Sequence, residues 1–202
     1  GTIADMVPQR GPNRVLVRSG LVQMNKRETA GIRALCEVCG VNGMPNPYNI
    51  GFGMGPRINA GSRVHKSDLG SKLLSTDDYE EAKNLAWTLN DCNEKRKTWQ
   101  KEMCDEAVEK VKNFGMEEDQ LIVVDGEGWH SGLSGLVAGR LKERFSRPAC
   151  VITYAENEQG VLEGRGSGRS VEGVNIAATF IDARNEGLLV KGGGHAMAGG
   201  FT

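Results

Sequence analysis

The chain has 202 residues, of which 39% are hydrophobic and 25% are charged, and its formal net charge is -1. This length allows one large domain or two small ones, each with a buried core. A net charge so close to zero excludes a uniformly basic nucleic-acid-binding protein, so any affinity for phosphate must come from locally placed groups. No apolar run approaches the roughly 20 residues that a membrane-spanning helix needs, and we expect a cytoplasmic protein.

The cysteines are odd in number, and no secretory signal stands at the N-terminus. Both observations indicate a reducing compartment, where disulfides are not expected. Cys36 and Cys39 form a CxxC motif, but no second pair of Cys or His completes a tetrahedral zinc site. The motif lies within a helical pattern of apolar residues, which favours half-buried structural thiols.

The first 75 residues are predicted to be mostly helical. Residues 11–41 carry apolar side chains at helical spacing in two short segments. Residues 42–71 are rich in Gly and Pro, which predicts an ordered loop region. Within it, Arg57, Asn59 and Arg63 are suited to contacting a phosphate backbone, although a surface loop with scattered charge is the plain alternative.

A long helix is predicted next, over residues 76–115. Thr76 is an N-cap candidate, acidic residues follow it, and apolar residues then recur at helical spacing up to Gly115. About 36 residues that rise about 1.5 Å each give a rod of roughly 55 Å. A helix of this length usually connects two lobes.

Beyond this helix, strands and helices alternate. Residues 121–125 and 149–154 are predicted strands, and residues 133–145 form a predicted helix between them. A strand over residues 161–166, a helix over residues 175–184 and a short strand over residues 188–190 follow. The alternation predicts a small α/β lobe with a mostly parallel or mixed sheet.

Residues 192–200 are the sharpest candidate for anion binding. Small residues surround His195, so that backbone N–H groups at Gly193 and Gly194 can close on an anion while the histidine donates to phosphate. The alternative is a tight turn with a packed histidine.

Residues 164–170 alternate small and basic side chains. The alternation predicts an extended edge segment that presents Ser167 and Arg169 on one face, as a fork for a terminal phosphate. The alternative is a solvated, charged strand.

Two further positions are weaker candidates. Trp129 and His130 lie between a predicted strand and a predicted helix, where α/β proteins place ligand-binding turns at a helix N-terminus. Trp129 is suited either to stacking on a base or to packing between lobes. Asp5 ends a short apolar run, and one carboxylate by itself makes neither a two-metal site nor an acid–base pair.

Five segments, in this order along the chain, closely resemble the RecJ single-strand-specific exonucleases of the DHH phosphoesterase family: residues 1–8, 50–63, 128–148, 166–170 and 192–202. The resemblance implies a 5′ to 3′ exonuclease of single-stranded DNA, acting in repair and recombination. In that family a DHH lobe holds manganese or magnesium, and a DHH-associated lobe grips the nucleic acid.

The resemblance also implies a division of the chain. Residues 1–75 would be the C-terminal remnant of the DHH catalytic domain, residues 76–115 the connecting helix, and residues 116–202 the DHH-associated domain. The implied metal ligand is Asp5, and the implied catalytic residues are His130 and His195. The implied substrate-binding residues are Arg57, Asn59, Arg63, Trp129, Ser167, Arg169, Gly193, Gly194 and His195.

This sequence departs from the family pattern. The DHH triplet, the earlier aspartates and the oligonucleotide-binding fold are absent, and Ser131 replaces a common Pro. Because the first residue is Gly1 rather than Met, we expect a piece of a longer enzyme. Mn²⁺ or Mg²⁺ is expected in that full-length enzyme, no stably bound metal in this chain, and no activity of the chain alone. The expected partners are single-stranded DNA with a 5′ phosphate and a helicase or single-strand-binding protein.

Two other functions stay open from the sequence. A DHH-type phosphodiesterase of short oligonucleotides or cyclic dinucleotides shares the terminal GGGH motif, although residues 50–63 and the Trp-His pair favour RecJ. A non-catalytic module that binds nucleic acid is the other alternative. An editing domain of the alanyl-tRNA synthetase type has a related lobe, but its zinc-binding His and Cys pattern is missing here.

Overall fold

A computed structural model describes residues 1–202 and divides into two compact units, residues 1–96 and 97–202. The first unit is helical. Its elements are α1 (Pro12–Lys26), α2 (Ala30–Val38), a π-helical segment (Asn49–Met54), α3 (Gly55–Val64), α4 (Leu69–Ser75) and the first part of α5 (Tyr79–Asn113). None of the helices combines the length and apolar character that crossing a membrane requires.

The core of the first unit lies between α2, α4 and the start of α5. Leu35, Leu73 and Leu89, one from each helix, are fully buried. Burying a leucine contributes about 2 kcal/mol relative to leaving it in water. The helices α2 and α4 approach closely because Gly31 has no side chain: a Cβ there would lie 1.9 Å from the carbonyl oxygen of Leu73.

The prediction of a loop over residues 42–71 was wrong, because most of this segment is helical. Its glycines serve helix packing rather than turns. A Cβ at Gly61 would lie 2.8 Å from Cδ2 of Leu89, and one at Gly70 would lie 2.8 Å from Cγ2 of Ile58. Pro56 follows the π-helical segment directly, in the first turn of α3, and it lacks the N–H that would otherwise donate a helical hydrogen bond across this junction.

The second unit carries one mixed sheet and the helices that cover it. It contains the rest of α5, then β1 (Ile122–Gly126), a 3₁₀ turn (Ser131–Leu133), α6 (Ser134–Phe145), β2 (Ala149–Glu156), β3 (Leu162–Arg169), α7 (Ile176–Asn185), β4 (Gly192–His195) and β5 (Ala198–Phe201). The strand order is β1-β2-β3-β5-β4. Only β1 and β2 are parallel, and the other pairs are antiparallel.

The α/β fold class, with a mixed sheet and a long helix, is confirmed. Two local predictions were wrong. Residues 188–190 form no strand, and β3 is not an edge strand because it pairs with β2 on one side and β5 on the other. The basic residues of β3 suggested a solvated edge, but its glycines allow it to lie between two neighbours.

The two faces of the sheet are covered differently. Helix α6 packs over β2 and β3, and α7 packs over β4 and β5. Glycine makes the second contact possible: a Cβ at Gly168 would lie 2.6 Å from Cδ1 of Ile176 and 2.7 Å from Cζ of Phe180. Because neighbours along a strand point to opposite faces, Ser167 and Arg169 lie on the face of α6.

Candidate nucleic-acid interface

A row of paired residues across three strands carries two of the predicted site residues. Arg169 in β3 pairs with Ala198 in β5, and Ala198 pairs with His195 in β4. Directly paired residues share a face of the sheet, so Arg169 and His195 lie on the same face, two strand spacings or about 10 Å apart. The His195 side chain is exposed rather than packed.

The Arg169 guanidinium lies against the first turn of α6. Its Nη1 donates a hydrogen bond to the carbonyl oxygen of Gly168 at 2.8 Å. A Cβ at Gly135 would lie 2.6 Å from Nη2 of Arg169, so the head group occupies the space beside that glycine. The positive charge is thereby held at the N-terminal end of a helix, where the macrodipole also favours an anion.

Ser167 reaches the same end of α6. Its Oγ is hydrogen-bonded to Oγ of Ser134 at 3.0 Å, and Ser134 also donates to the carbonyl oxygen of Ser131 at 2.9 Å. A hydroxyl has one proton, so a Ser134 that donates to Ser131 accepts from Ser167. The structure therefore places Ser167 and Arg169 at the same end of α6, and their binding of a phosphate stays a prediction.

The N-terminus of α6 offers fewer free backbone N–H donors to an anion than the sequence predicted. The N–H groups of Leu133 and Ser134 donate to the carbonyl oxygens of His130 and Ser131, and the N–H of Gly132 donates to Nδ1 of His130. Because these donors already have acceptors, an anion here depends on the Arg169 side chain more than on backbone groups.

His130 is held in a defined orientation. Its Nδ1 accepts a hydrogen bond of 3.2 Å from the Gly132 N–H, which places the ring proton on Nε2. Its ring also stacks on Trp99 of α5, with centroids 5.3 Å apart and an interplanar angle of 22°. The Nε2–H edge is the one left for a ligand.

Trp129 packs inward. Only 7% of the residue is exposed, and its Nε1 donates to Oε2 of Glu106 at 2.8 Å. A Cβ at Gly126 would lie 2.1 Å from the indole, so the ring rests on bare backbone. In this structure Trp129 is therefore a packed side chain, and its stacking on a base stays a prediction.

The glycines of residues 192–200 form a β-hairpin, not a loop around an anion, and only Ala196 and Met197 make its turn. Gly192 and Gly199 face α7, where a Cβ would come within 2.5 Å and 2.8 Å of its nearest neighbour. A Cβ at Gly193 would have no other atom within 4 Å, and one at Gly200 would have a single neighbour, at 3.6 Å. Paired glycines thus leave a bare backbone surface on the face that carries Arg169 and His195.

Gly194 is required by its backbone conformation. Its φ is 145°, which side-chain-bearing residues rarely adopt, and a Cβ there would lie 2.5 Å from the Ala198 carbonyl oxygen. The backbone geometry at the end of the hairpin therefore requires glycine at position 194, whether or not a ligand binds.

The predicted strand-contacting residues of the first unit lie on helix α3. Nε of Arg57 donates to Oδ1 of Asn90 at 3.0 Å, and its Nη1 donates to the Gly53 carbonyl oxygen at 2.9 Å. Asn59 is exposed and Arg63 half-buried. The side chains project from a helix, so their spacing is set by the helical turn and not by a loop.

Arg96 extends this basic surface onto α5 and was not predicted. Its Nη2 donates to Oδ1 of the buried Asn93 at 2.9 Å. Burial lowers the pKa of Arg96, and the nearby charge of Arg63 lowers it further. Two guanidinium groups close enough to repel favour an anion as their neighbour.

The predicted metal ligand stands apart from other ligands. Asp5 is exposed, and its N–H donates to the Gly1 carbonyl oxygen at 2.9 Å. Nowhere do three or more His, Cys, Asp or Glu side chains come together in a way that could hold a metal ion. The residues of this chain do not fit the two-metal centre that the resemblance implies.

Comparison with known proteins finds similarity along the whole chain. The DHHA1 domain family matches residues 118–202. The whole chain aligns with the single-stranded-DNA-specific exonuclease RecJ of Bacillus subtilis, at 36% identity over 203 residues, and with RecJ of Escherichia coli, at 36% identity over 209 residues. Over its whole length the chain is similar to RecJ.

The fold agrees with solved RecJ structures. The Mn²⁺ complex of RecJ from Thermus thermophilus matches all of this chain with a TM-score of 0.84 and 33% identity, over 28% of that structure. The Mg²⁺ complex matches with a TM-score of 0.82. The chain spans 25% of the B. subtilis RecJ and 36% of the E. coli RecJ, so these relatives are several times longer.

Besides Arg96, sequence reasoning missed Trp99, Ser134 and Gly135, which contact His130, Ser167 and Arg169. Trp99 occupies an ordinary position in an apolar helical stripe, and no local signal marks its contact with a histidine 31 positions later. Ser134 and Gly135 lie within a glycine- and serine-rich helix start, which was the only signal for them.

Proposed function

We propose that this chain is the strand-gripping part of a RecJ-type exonuclease, which holds the 5′ phosphate and the strand while single-stranded DNA is degraded from 5′ to 3′. The observation that carries the proposal is the convergence of Ser167 and Arg169 on the start of α6. The names of the relatives, single-stranded-DNA-specific exonucleases, support the substrate.

A terminal phosphate suits this arrangement chemically. It carries more negative charge than an internal phosphodiester, and a guanidinium can donate two parallel hydrogen bonds to its oxygens. Ser167 stands two residues before Arg169 on the same face of β3, and both side chains contact the start of α6. The bare backbone at Gly193 and Gly200 lets a nucleotide approach the sheet between Arg169 and the exposed His195.

The remaining roles are part of the same proposal. Arg57, Asn59 and Arg63 contact the phosphate backbone of the strand, His130 and His195 face the scissile region, and Trp129 contacts a base. Residues 1–75, 76–115 and 116–202 act as catalytic-domain remnant, connecting helix and substrate-binding domain. The full-length enzyme acts in DNA repair and recombination, with a helicase or single-strand-binding protein as partner.

We propose further that the divalent cations are held mainly by residues outside this chain, with Asp5 as one ligand. Metal-bound RecJ structures support divalent cations in the full-length enzyme. The chain alone should then be inactive. A nuclease assay with Mn²⁺ and labelled single-stranded DNA tests this, and robust release of mononucleotides by the purified chain would contradict it.

The phosphate grip is tested by binding. Fluorescence anisotropy should show that the chain prefers a 5′-phosphorylated oligonucleotide over its 5′-hydroxyl form, and that Arg169→Ala abolishes the preference. Arg184→Ala is the matched control, because Arg184 is an arginine of α7 on the opposite face of the sheet. Equal affinity for both oligonucleotides would contradict the grip and favour a non-catalytic module that binds nucleic acid without reading its end.

A further inference from the structure

Gly135 stands in the first turn of α6, where glycine is less favourable than alanine because it costs more backbone entropy. Its backbone conformation does not require glycine, since its φ is not positive. What distinguishes the position is the space beside it. A Cβ at Gly135 would lie 2.6 Å from Nη2, 3.3 Å from Cζ and 3.6 Å from Nη1 of Arg169.

We propose that Gly135 is a positioning residue that seats the Arg169 guanidinium on α6 and thereby sets the selectivity for a 5′-phosphorylated end. The inference rests on the proposed function of Arg169. Gly135 leaves the space in which the guanidinium of Arg169, 34 positions later in the sequence, is held.

The geometry of the contact supports this role. The three nearest atoms all belong to the Arg169 side chain, so outside its own helix an added methyl group meets no backbone closer than 3.6 Å, and the fold can persist. Carbon needs about 3.5 Å from its neighbours, and the head group must therefore retreat by about 1 Å. Charge-assisted hydrogen bonds have an optimal length of about 2.8 Å, so such a displacement breaks a bidentate contact with phosphate.

The other side of the guanidinium is anchored, which prevents a simple compensation. Nη1 donates to the Gly168 carbonyl oxygen, one residue before Arg169 in β3. A head group that moves away from Gly135 must stretch or lose this bond. Position and orientation of the guanidinium therefore change together.

The test compares Gly135→Ala with Gly139→Ala. Gly139 lies one turn later in the same helix, and a Cβ there would have no atom within 4 Å, so its substitution controls for helix propensity. Both variants should keep or raise the thermal unfolding midpoint. Only Gly135→Ala should lower the preference for the 5′-phosphorylated oligonucleotide, by about tenfold, as expected for one lost charge-assisted hydrogen bond.

The outcomes separate this inference from the proposed function. If Arg169→Ala abolishes the preference and Gly135→Ala leaves it intact, the positioning role of Gly135 is wrong, whereas the phosphate grip by Arg169 is supported. An equal loss of preference in Gly135→Ala and Gly139→Ala also contradicts the positioning role. If the unmodified chain has no preference for the 5′-phosphorylated oligonucleotide, the phosphate grip is wrong. The contact between Gly135 and Arg169 is then tested by the NMR signal of the Arg169 Nε–H. This signal should shift in Gly135→Ala and not in Gly139→Ala, and an unshifted signal in Gly135→Ala would contradict the positioning role.

Discussion

At the scale of single residues, the site depends on what holds each side chain. His130 is fixed by a backbone N–H at Nδ1 and by the ring of Trp99. Such an aromatic pair contributes about 1 kcal/mol beyond the area that it buries. The candidate binding residues were proposed from their chemical type, whereas the residues that support them belong to other elements and carry no local signature.

Replacing Trp99 tests the support of His130. Trp99→Leu should shift the ring-proton NMR signals of His130, because the ring current and the stacking contact are lost, and should lower the free energy of unfolding by about 1 kcal/mol relative to Trp99→Phe. Urea unfolding measures the second effect. Unchanged His130 signals in Trp99→Leu would show that the stacking does not persist in solution.

A buried thiol predicts a pH dependence of stability. Burial raises the pKa of Cys150 from 9.0 to about 12. Between these values the unfolded chain has lost the thiol proton and the folded chain retains it, so the free energy of unfolding falls as the pH rises from 9.0 towards about 12. Cys150→Val should make this fall shallower in urea titrations at pH values from about 8 to about 11, and an identical fall in both proteins would contradict the assignment.

At the scale of elements, glycine has opposite uses on the two faces of one hairpin. Gly199 allows Phe180 of α7 to touch the backbone, whereas Gly200 next to it faces open space. The glycine-rich segment was recognised from the sequence as a candidate binding element. Which of its glycines pack and which stay bare depends on a helix that precedes them in the chain.

Two neighbouring substitutions should therefore behave differently. Gly199→Ala places a methyl group 2.8 Å from the Gly193 carbonyl oxygen and from Phe180, and should destabilise the chain by about 2 kcal/mol through overpacking. Gly200→Ala, with one neighbour at 3.6 Å, should change stability by less than about 1 kcal/mol. Thermal unfolding of both variants measures the difference, and similar midpoints would contradict the assignment of faces.

At the scale of the whole molecule, the chain consists of two compact units that divide within α5. The residues proposed to grip the 5′ phosphate all lie in the second unit, together with Trp99 and Gly135. The similarity to RecJ extends along the full length of the chain, whereas each motif covers only a short segment.

A polypeptide of residues 97–202 tests this division. It should fold, because the sheet and both covering helices lie within it, and it should keep the preference for a 5′-phosphorylated strand. Circular dichroism and anisotropy check the two claims. A folded polypeptide without the preference would show that the first unit contributes to reading the strand end.

The amino-acid sequence by itself determined the α/β class, the long helix and the resemblance to RecJ, because these depend on local periodicity and on motifs kept in order. Only the tertiary structure decided the use of the glycines. Residues 42–71 are mostly helical, with Gly61 and Gly70 fitting against Leu89 and Ile58, and Arg169 meets Gly135 because β3 lies beneath α6. Such contacts join residues far apart in the chain, and the role of a glycine depends on what is packed above it.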